Sequence, residues 1–183
     1  AVLDLFDGQP LAKGSFEVSW TQPAGLAFTN TGIANRLTIA TDQILANLRK
    51  VQERHKLKVS EDLEPCAYET DDGRADAIPL NFTVEMETGT GKTYVYLRTI
   101  YELHRVYGFK KFVIVVPSVA IREGVMKNLA ITREHLQTLY DHPPLDAFVY
   151  DSAKLAALRG FATANAIQIL VINIDSFAKD ANV

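Results

Sequence analysis

The chain has 183 residues, of which 48% are hydrophobic and 22% charged, a balance typical of a globular domain with a buried core. No apolar run reaches about 18 residues, and no basic start leads into an apolar segment, so we expect neither a membrane span nor a secretory signal. A single cysteine, Cys66, forms no internal disulfide and fits the reducing cytoplasm, where we expect the protein to be located.

The charge is distributed unevenly along the chain. The net charge is −3, yet Lys and Arg outnumber Asp and Glu by eight to two between Lys92 and Arg133. An asymmetry of this kind can focus a positive field on one face of a protein. Ordinary solvated helix faces give the same pattern, so composition alone leaves a nucleic-acid role open.

Residues 1–78 are predicted to form an irregular and partly helical region. The alternation of Phe16–Trp20 predicts a short strand. A helix is predicted to begin at Thr41, the expected N-cap, because apolar residues then recur at helical spacing. The acidic stretch that follows, residues 61–76, is expected to be a solvated connector, because its spacing matches no calcium-binding loop.

Residues 79–183 alternate between strand and helix patterns, which predicts an α/β core with a largely parallel sheet flanked by helices. Phe112–Val116 is a continuous run typical of a strand buried on both faces. Gly108 is expected to close the first helix in the left-handed conformation, and Ser118 to cap the second. The predicted strands are Leu80–Glu85, Phe112–Val116, Ala147–Tyr150 and Ile167–Ile174, and the predicted helical segments are Lys92–Tyr107, Ser118–Leu139 and Leu155–Phe161.

The segment Met86–Thr93 reads METGTGKT between an expected strand and an expected helix, the context of a phosphate-binding loop. Gly89 and Gly91 let the backbone curl, so that N–H groups converge at a helix N-terminus, where an anion is favoured. Lys92 is expected to reach the β- and γ-phosphates of a nucleotide, and the Thr93 hydroxyl to ligate Mg²⁺.

We therefore expect ATP and Mg²⁺ as cofactors, with Lys92 and Thr93 as the catalytic residues of the loop. Met86 stands where the usual pattern has Gly. The alternative interpretation is a Gly-rich turn followed by a chance Lys–Thr pair. The residues expected to bind nucleotide are Thr88, Gly89, Thr90, Gly91, Lys92 and Thr93.

Residues from about 81 to 124 resemble the core of the Res subunit of type III restriction–modification enzymes, members of helicase superfamily 2. The similar stretch reads NFTVEMETGTGKTYVYLRTIYELHRVYGFKKFVIVVPSVAIREGV. Weaker similarity extends upstream through GIANRLTIATDQILANLRKVQ and downstream to VINIDSFAKD. The resemblance implies a RecA-like P-loop NTPase lobe and ATP hydrolysis coupled to movement on duplex DNA. It also implies a separate nuclease domain and a methyltransferase (modification) subunit as partner.

Carried onto this chain, the resemblance makes Met86–Thr93 the nucleotide motif and places Pro117, Ser118 and Arg122 in a motif that approaches the DNA backbone. The chemistry agrees, because a helix that starts at Ser118 presents N–H groups to a phosphate. The alternative is that Ser118 merely caps the helix and Arg122 pairs with a surface acid.

The Asp–Glu pair with which this family holds Mg²⁺ is not found, because Ser176 follows Asp175 where Glu is expected. We expect that pair, the second motor lobe and the nuclease to lie outside these residues, so that the chain is a fragment with negligible ATPase activity. Two further interpretations stay open. One is a self-contained small P-loop NTPase that uses Asp175, and the other is a DNA-binding module without catalysis.

Overall fold

The computed structural model describes residues 1–21, 29–63, 66–70, 73–77 and 80–176. The strands are β1 Ser15–Thr21, β2 Thr29–Asn35, β3 Cys66–Thr70, β4 Gly73–Ala77, β5 Lys111–Val116, β6 Leu145–Val149 and β7 Ile167–Asn173. The helices are α1 Thr41–Arg54, α2 Lys92–Tyr107, α3 Val119–Leu139 and α4 Leu155–Thr163, with a 3₁₀ turn at Leu3–Phe6.

The chain divides into two compact units, which are described separately. The first contains residues 1–8 and 38–90, and the second contains residues 9–37 and 91–183. The domain boundary near residue 79 stays a prediction. Among the described residues, no helix is long and apolar enough to cross a membrane.

In the first unit, α1 begins at the expected residue but is capped differently. Its N-cap is Ala40, and Thr41 is already helical. The carboxylate of Asp42 accepts a hydrogen bond from the Gln43 N–H at 2.9 Å. A first-turn carboxylate therefore satisfies a helix-end N–H group, and Thr41 is not the cap that its hydroxyl suggested.

The 3₁₀ turn is held against α1 by one buried polar side chain. Asn47 is 1% exposed. Its side-chain amide donates to the Leu5 carbonyl at 3.1 Å and to the Asp7 carbonyl at 2.8 Å, and its oxygen accepts from Gln43 at 3.0 Å. Because every polar atom of this amide is paired, its burial costs little.

The acidic stretch contains two paired antiparallel strands, which the sequence analysis did not predict. Strand β3 pairs with β4, with Cys66 opposite Ala77 and Thr70 opposite Gly73. Charged residues and alanine are depleted in strands, so residue propensities do not predict a hairpin of this composition.

In the second unit, β1 and β2 pair antiparallel along their full length, which confirms the strand predicted at Phe16–Trp20. Asn35 at the end of β2 joins this hairpin to β5. Its side chain donates to the Lys111 carbonyl at 2.6 Å and accepts from the Lys110 and Lys111 N–H groups at 2.8 and 3.0 Å.

The parallel sheet has the order β5–β7–β6, which confirms the predicted α/β class. Strand β7 lies in the centre and is buried along its whole length. Helices α2 and α3 pack on one hydrophobic cluster with the sheet, through Leu97 and Ile100 of α2 and Val125 and Leu136 of α3. Helix α4 contacts β6 through an edge-to-face pair, Phe148 and Phe161, with ring centroids 6.1 Å apart.

The sequence predicted that strand β5 is buried on both faces, and this prediction is wrong. Val113 is 52% exposed and Val115 is 51% exposed, whereas Val116 is buried. Alternate residues of a strand point to opposite faces, and the core cluster takes only one of the two faces of β5. A continuous apolar run therefore does not report how many faces are covered.

The strand predicted at Leu80–Glu85 does not form, since residues 80–87 carry no regular secondary structure. Val84 is 57% exposed. A strand satisfies its backbone N–H and C=O groups only through a neighbour, and none of the described sheets includes this segment. The apolar sequence of this segment does not show whether a neighbouring strand is present.

Candidate nucleotide-binding site

The loop of residues 88–93 has the backbone form that its glycines predicted. Gly89 has φ +82° and Gly91 has φ +81°, both in the left-handed region that other residues rarely adopt. Gly91 is the N-cap of α2, so one left-handed residue leads directly into the helix. The boundary between the two units of the fold falls between Thr90 and Gly91.

Space around the loop is open. A Cβ atom added at Gly89 or at Gly91 would meet nothing within 4 Å. Glycine is therefore required there for backbone conformation and not for want of room. Residues 87–92 are all exposed, which leaves their backbone accessible to a ligand.

Before the boundary, the loop is closed by a tight turn. The Thr90 hydroxyl donates to the Glu87 carbonyl at 2.7 Å, and the Thr90 N–H donates to the same carbonyl at 3.4 Å. After the boundary, the first helical bond of α2 runs from the Val95 N–H to the Gly91 carbonyl at 3.1 Å. The N–H groups of the turn before Val95 therefore point out of the N-terminal end of α2, where the helix dipole favours negative charge.

Thr93 lies in the first turn of α2 and is partly buried. Burial raises the pKa of the Tyr96 phenol, one helical turn further along, above its ordinary value, against a smaller lowering effect of Thr93. Tyr96 is therefore a neutral phenol at physiological pH.

These residues fit a nucleotide phosphate with Mg²⁺ better than a metal held by protein alone. The described part of the chain has no group of three or more His, Cys, Asp or Glu side chains that could cage a metal ion. Mg²⁺ in nucleotide sites takes most of its ligands from phosphate oxygens and water, and one hydroxyl from the protein is sufficient. Thr93 is a hydroxyl of this kind at the helix N-terminus.

Ser118 and Arg122 are both engaged with their own helix. The Ser118 hydroxyl caps α3 by accepting from the Ile121 N–H at 3.4 Å, which confirms the predicted cap. Arg122 forms a salt bridge with Glu123, with the Nη2–Oε1 distance at 2.9 Å. The arrangement anticipated as the alternative to DNA binding is thus present, although the Ser118 hydroxyl proton and other Arg122 N–H groups remain as donors to a phosphate.

Helices α2 and α3 touch near the end of α3, through residues that sequence reasoning did not single out as a group. The Tyr94 hydroxyl lies 3.0 Å from His135 Nε2. Tyr140 donates to Glu102 at 2.7 Å and accepts from Arg98 at 3.2 Å. The only sign of this cluster in the sequence is the spacing of Tyr94, Arg98 and Glu102, which lie four residues apart along α2.

The Glu102 carboxyl at the centre of this cluster is ionised. Although its partial burial would raise its pKa, hydrogen bonds from Arg105 and Tyr140 and the charges of Arg105 and Arg98 together lower the pKa below its usual value. The cluster therefore combines a carboxylate with two guanidinium groups, and it connects α2 with Tyr140 at the end of α3.

Ser118 and Arg122 lie toward the opposite end of α3 from the residues that form hydrogen bonds with α2. Tyr94 of α2 contacts His135, whereas Ser118 precedes the first residue of α3. Ser118 and His135 are about five helical turns apart, roughly 25 Å at the usual rise.

Asp175 and Ser176 lie just after β7. The Ser176 hydroxyl donates to the Asn173 side-chain oxygen at 2.7 Å and so closes the end of the strand. Asp175 itself is exposed. Asp175 and Ser176 therefore provide one carboxylate and one hydroxyl, and the hydroxyl is hydrogen-bonded at the end of β7.

Comparison with known proteins identifies relatives of the chain. The family model for the type III restriction enzyme Res subunit matches residues 43–183. The chain is 38% identical over 110 residues to the Res subunit of the type III restriction-modification enzyme StyLTI from Salmonella typhimurium, which covers 51% of this chain and 11% of the relative. It is 33% identical over 122 residues to the EcoPI Res subunit of Escherichia phage P1, which covers 66% of this chain and 11% of the relative.

The chain therefore spans about a tenth of the length of these curated relatives. The family match confirms both the resemblance seen in the sequence and the RecA-like class of the fold, to which the parallel sheet flanked by helices conforms.

The left-handed backbone at Gly91 generates a prediction about stability. Gly91→Ala should lower the free energy of unfolding by about 1–2 kcal/mol, because a Cβ disfavours this conformation even in open space. Gly124→Ala is the matched control, since Gly124 is helical and its added Cβ also meets nothing within 4 Å. It should raise stability by up to about 1 kcal/mol. Urea denaturation measures both, and equal changes of the same sign would contradict the backbone assignment.

Proposed function

The chain belongs to the type III restriction enzyme Res-subunit family, and from that membership we propose that residues 88–93 bind the polyphosphate of ATP together with Mg²⁺. The left-handed backbone at Gly89 and Gly91, at the N-terminal end of α2, is the observation that carries this proposal. Such a backbone turns successive N–H groups toward one anion.

Each residue of the loop has a distinct role in this proposal. The backbone of Thr88–Gly91 supplies N–H donors, and the Lys92 ammonium neutralises the β- and γ-phosphates. The Thr93 hydroxyl holds Mg²⁺, which offsets charge on the phosphate oxygens when bound. Lys92 and Thr93 are thus the residues of this chain that touch the reacting end of the nucleotide.

We further propose that the whole protein is an ATP-driven motor on duplex DNA that works with a modification subunit and cleaves DNA through a nuclease domain. The Res-subunit names of the relatives support this proposal. Within it, Ser118 and Arg122 contact the DNA backbone at the start of α3.

Nucleotide binding is tested by the effect of Mg²⁺–ATP on the melting temperature of the chain and by titration with a fluorescent ATP analogue. Binding is measured, and not turnover, because we expect negligible hydrolysis by this chain alone. Lys92→Ala should weaken binding roughly 10- to 100-fold, the value of a charge-assisted contact with phosphate.

Lys127→Ala is the matched control, because Lys127 is an exposed lysine of α3. It removes the same charge and should leave nucleotide affinity unchanged. Equal affinities for wild type and Lys92→Ala, in proteins of equal stability, would show that the loop is only a structural turn.

The salt bridge of Arg122 generates a prediction for DNA. Glu123→Gln should strengthen binding of short duplex DNA about two- to fivefold, because it releases Arg122 and removes one like charge from the surface that meets phosphate. Fluorescence anisotropy at several salt concentrations measures this affinity.

Glu134→Gln, on the same helix, is the control for net charge and should change affinity less. Arg122→Ala should weaken binding and reduce its dependence on salt by about one phosphate contact. If Glu123→Gln and Glu134→Gln behaved alike and Arg122→Ala had no effect, the start of α3 would not be the DNA contact.

A further inference from the structure

Strand β6 lies at one edge of the parallel sheet, since β7 is its only neighbour among the described strands. Two hydrogen bonds fix how it faces β7. The Pro144 carbonyl accepts from β7 at 2.9 Å, and the Tyr150 N–H donates to β7 at 2.8 Å. Because backbone groups alternate between the two sides of a strand, the N–H and C=O groups of Leu145, Ala147 and Val149 point away from β7. We call this side of β6 the outer edge.

A positive charge lies beside the outer edge. The Leu145 carbonyl accepts a hydrogen bond from Arg133 Nη2 of α3 at 3.3 Å, which agrees with the outward direction of that carbonyl. Arg133 is exposed, and none of the described carboxylates forms a salt bridge with it. A guanidinium carries five N–H donors, so donors remain at Arg133 for an acidic group that approaches the edge.

A cavity of about 120 Å³ lies between α3 and β6. Its walls include Met126, Leu129, Ala130 and Arg133 of α3 and Ala147 of β6. It opens to solvent, because Ala130 and Arg133 are exposed. Pockets for drug-sized ligands are about 300–1,000 Å³, whereas an apolar cavity of about 150 Å³ holds one benzene molecule. The cavity therefore suits a single apolar side chain.

The outer edge, the charge and the cavity meet at Ala147. If a strand is added antiparallel to β6, its residue opposite Ala147 exchanges two backbone hydrogen bonds with Ala147, and both side chains lie on one face. That residue points toward the cavity. The residue two positions later lies opposite Leu145, on the same face and beside Arg133.

We propose that the outer edge of β6 and the adjoining cavity form a docking site for an extended segment of a partner protein. The segment pairs with β6, inserts one aliphatic side chain into the cavity and carries an acidic residue two positions later, which complements the charge of Arg133. In recognition of this kind, main-chain hydrogen bonds give affinity and alternate side chains give specificity. The proposal does not depend on nucleotide binding at residues 88–93.

The probe is a fluorescent peptide of seven residues, with leucine at position 4, aspartate at position 6 and threonine elsewhere. Fluorescence anisotropy measures its binding to the whole chain. Replacement of its leucine by serine should weaken binding about ten- to hundredfold, because burial of the leucine side chain is lost. If the leucine peptide did not bind, or if the serine peptide bound equally well, the proposal would be wrong.

Filling the cavity from the protein side tests the same contact. Ala147→Leu should weaken binding of the leucine peptide at least about tenfold, because its side chain occupies the space that the peptide needs. Ala156→Leu is the matched control, since Ala156 is exposed on α4, and it should leave the affinity unchanged. Equal affinities of the two variants, at melting temperatures close to that of the wild type, would overturn the assignment of the cavity.

A charge exchange tests the role of Arg133. Arg133→Glu should bind the aspartate peptide several-fold more weakly than a peptide with lysine at position 6, the reverse of the wild-type order. Lys127→Glu makes the same change of charge at an exposed position of α3 and should keep the wild-type order. If the order did not reverse in Arg133→Glu, or reversed in both variants, Arg133 would not be the contact.

Backbone methylation of the peptide tests strand pairing. N-methylation of the leucine should abolish detectable binding, because the N–H of the residue opposite Ala147 points toward β6. N-methylation of the next threonine, whose N–H points away from β6, should have little effect. Equal losses would show that no strand pairs with β6. Self-association of the chain that Ala147→Leu prevents, measured by sedimentation, would assign the outer edge to a second copy and contradict the proposed partner.

Discussion

The packing of α2 onto the parallel sheet is the contact on which the candidate site depends. Leu97, Ile100 and Tyr101 bury one face of α2 in the cluster that includes β7. That burial fixes the axis of the helix, and the helix axis fixes where its first N–H groups point. Gly91, the N-cap, has a left-handed backbone. The direction of the first N–H groups of α2 is therefore a consequence of how α2 is buried.

Elements with a local signal at both ends were predictable from the sequence. Helix α2 begins at Lys92 and ends at Tyr107 as expected, with Gly108 left-handed at φ +78°. Helix α3 begins after Ser118 because the hydroxyl there satisfies an N–H group. Strand β7 was predictable because a central parallel strand is buried at every position and is mostly apolar. A single sequence is therefore enough to predict helix caps and a strand that is buried along its whole length.

Features that depend on a partner elsewhere in the chain were not predictable. The sequence 80–85 is as apolar as a strand, but the described sheets give it no neighbour. Strand β5 has an exposed face because helix cover, which the strand does not encode, decides its burial. At the site, the Gly and Lys–Thr pattern was visible, whereas the contact of Tyr94 with His135 depends on how α2 packs on α3. The sequence offered a surface acid as an alternative partner of Arg122, but it did not identify Glu123 as that acid.

The proposed nucleotide site depends on the backbone amides of residues 88–93, which would receive the polyphosphate. The most direct measurement labels only the glycines with ¹⁵N and follows their amide signals as ATP and Mg²⁺ are added. The amide signals of Gly89 and Gly91 should shift in proportion to the bound fraction, while those of Gly14 and Gly160 stay in place. Signals that remain still at saturating ATP, or that move alike at all four glycines, would contradict it.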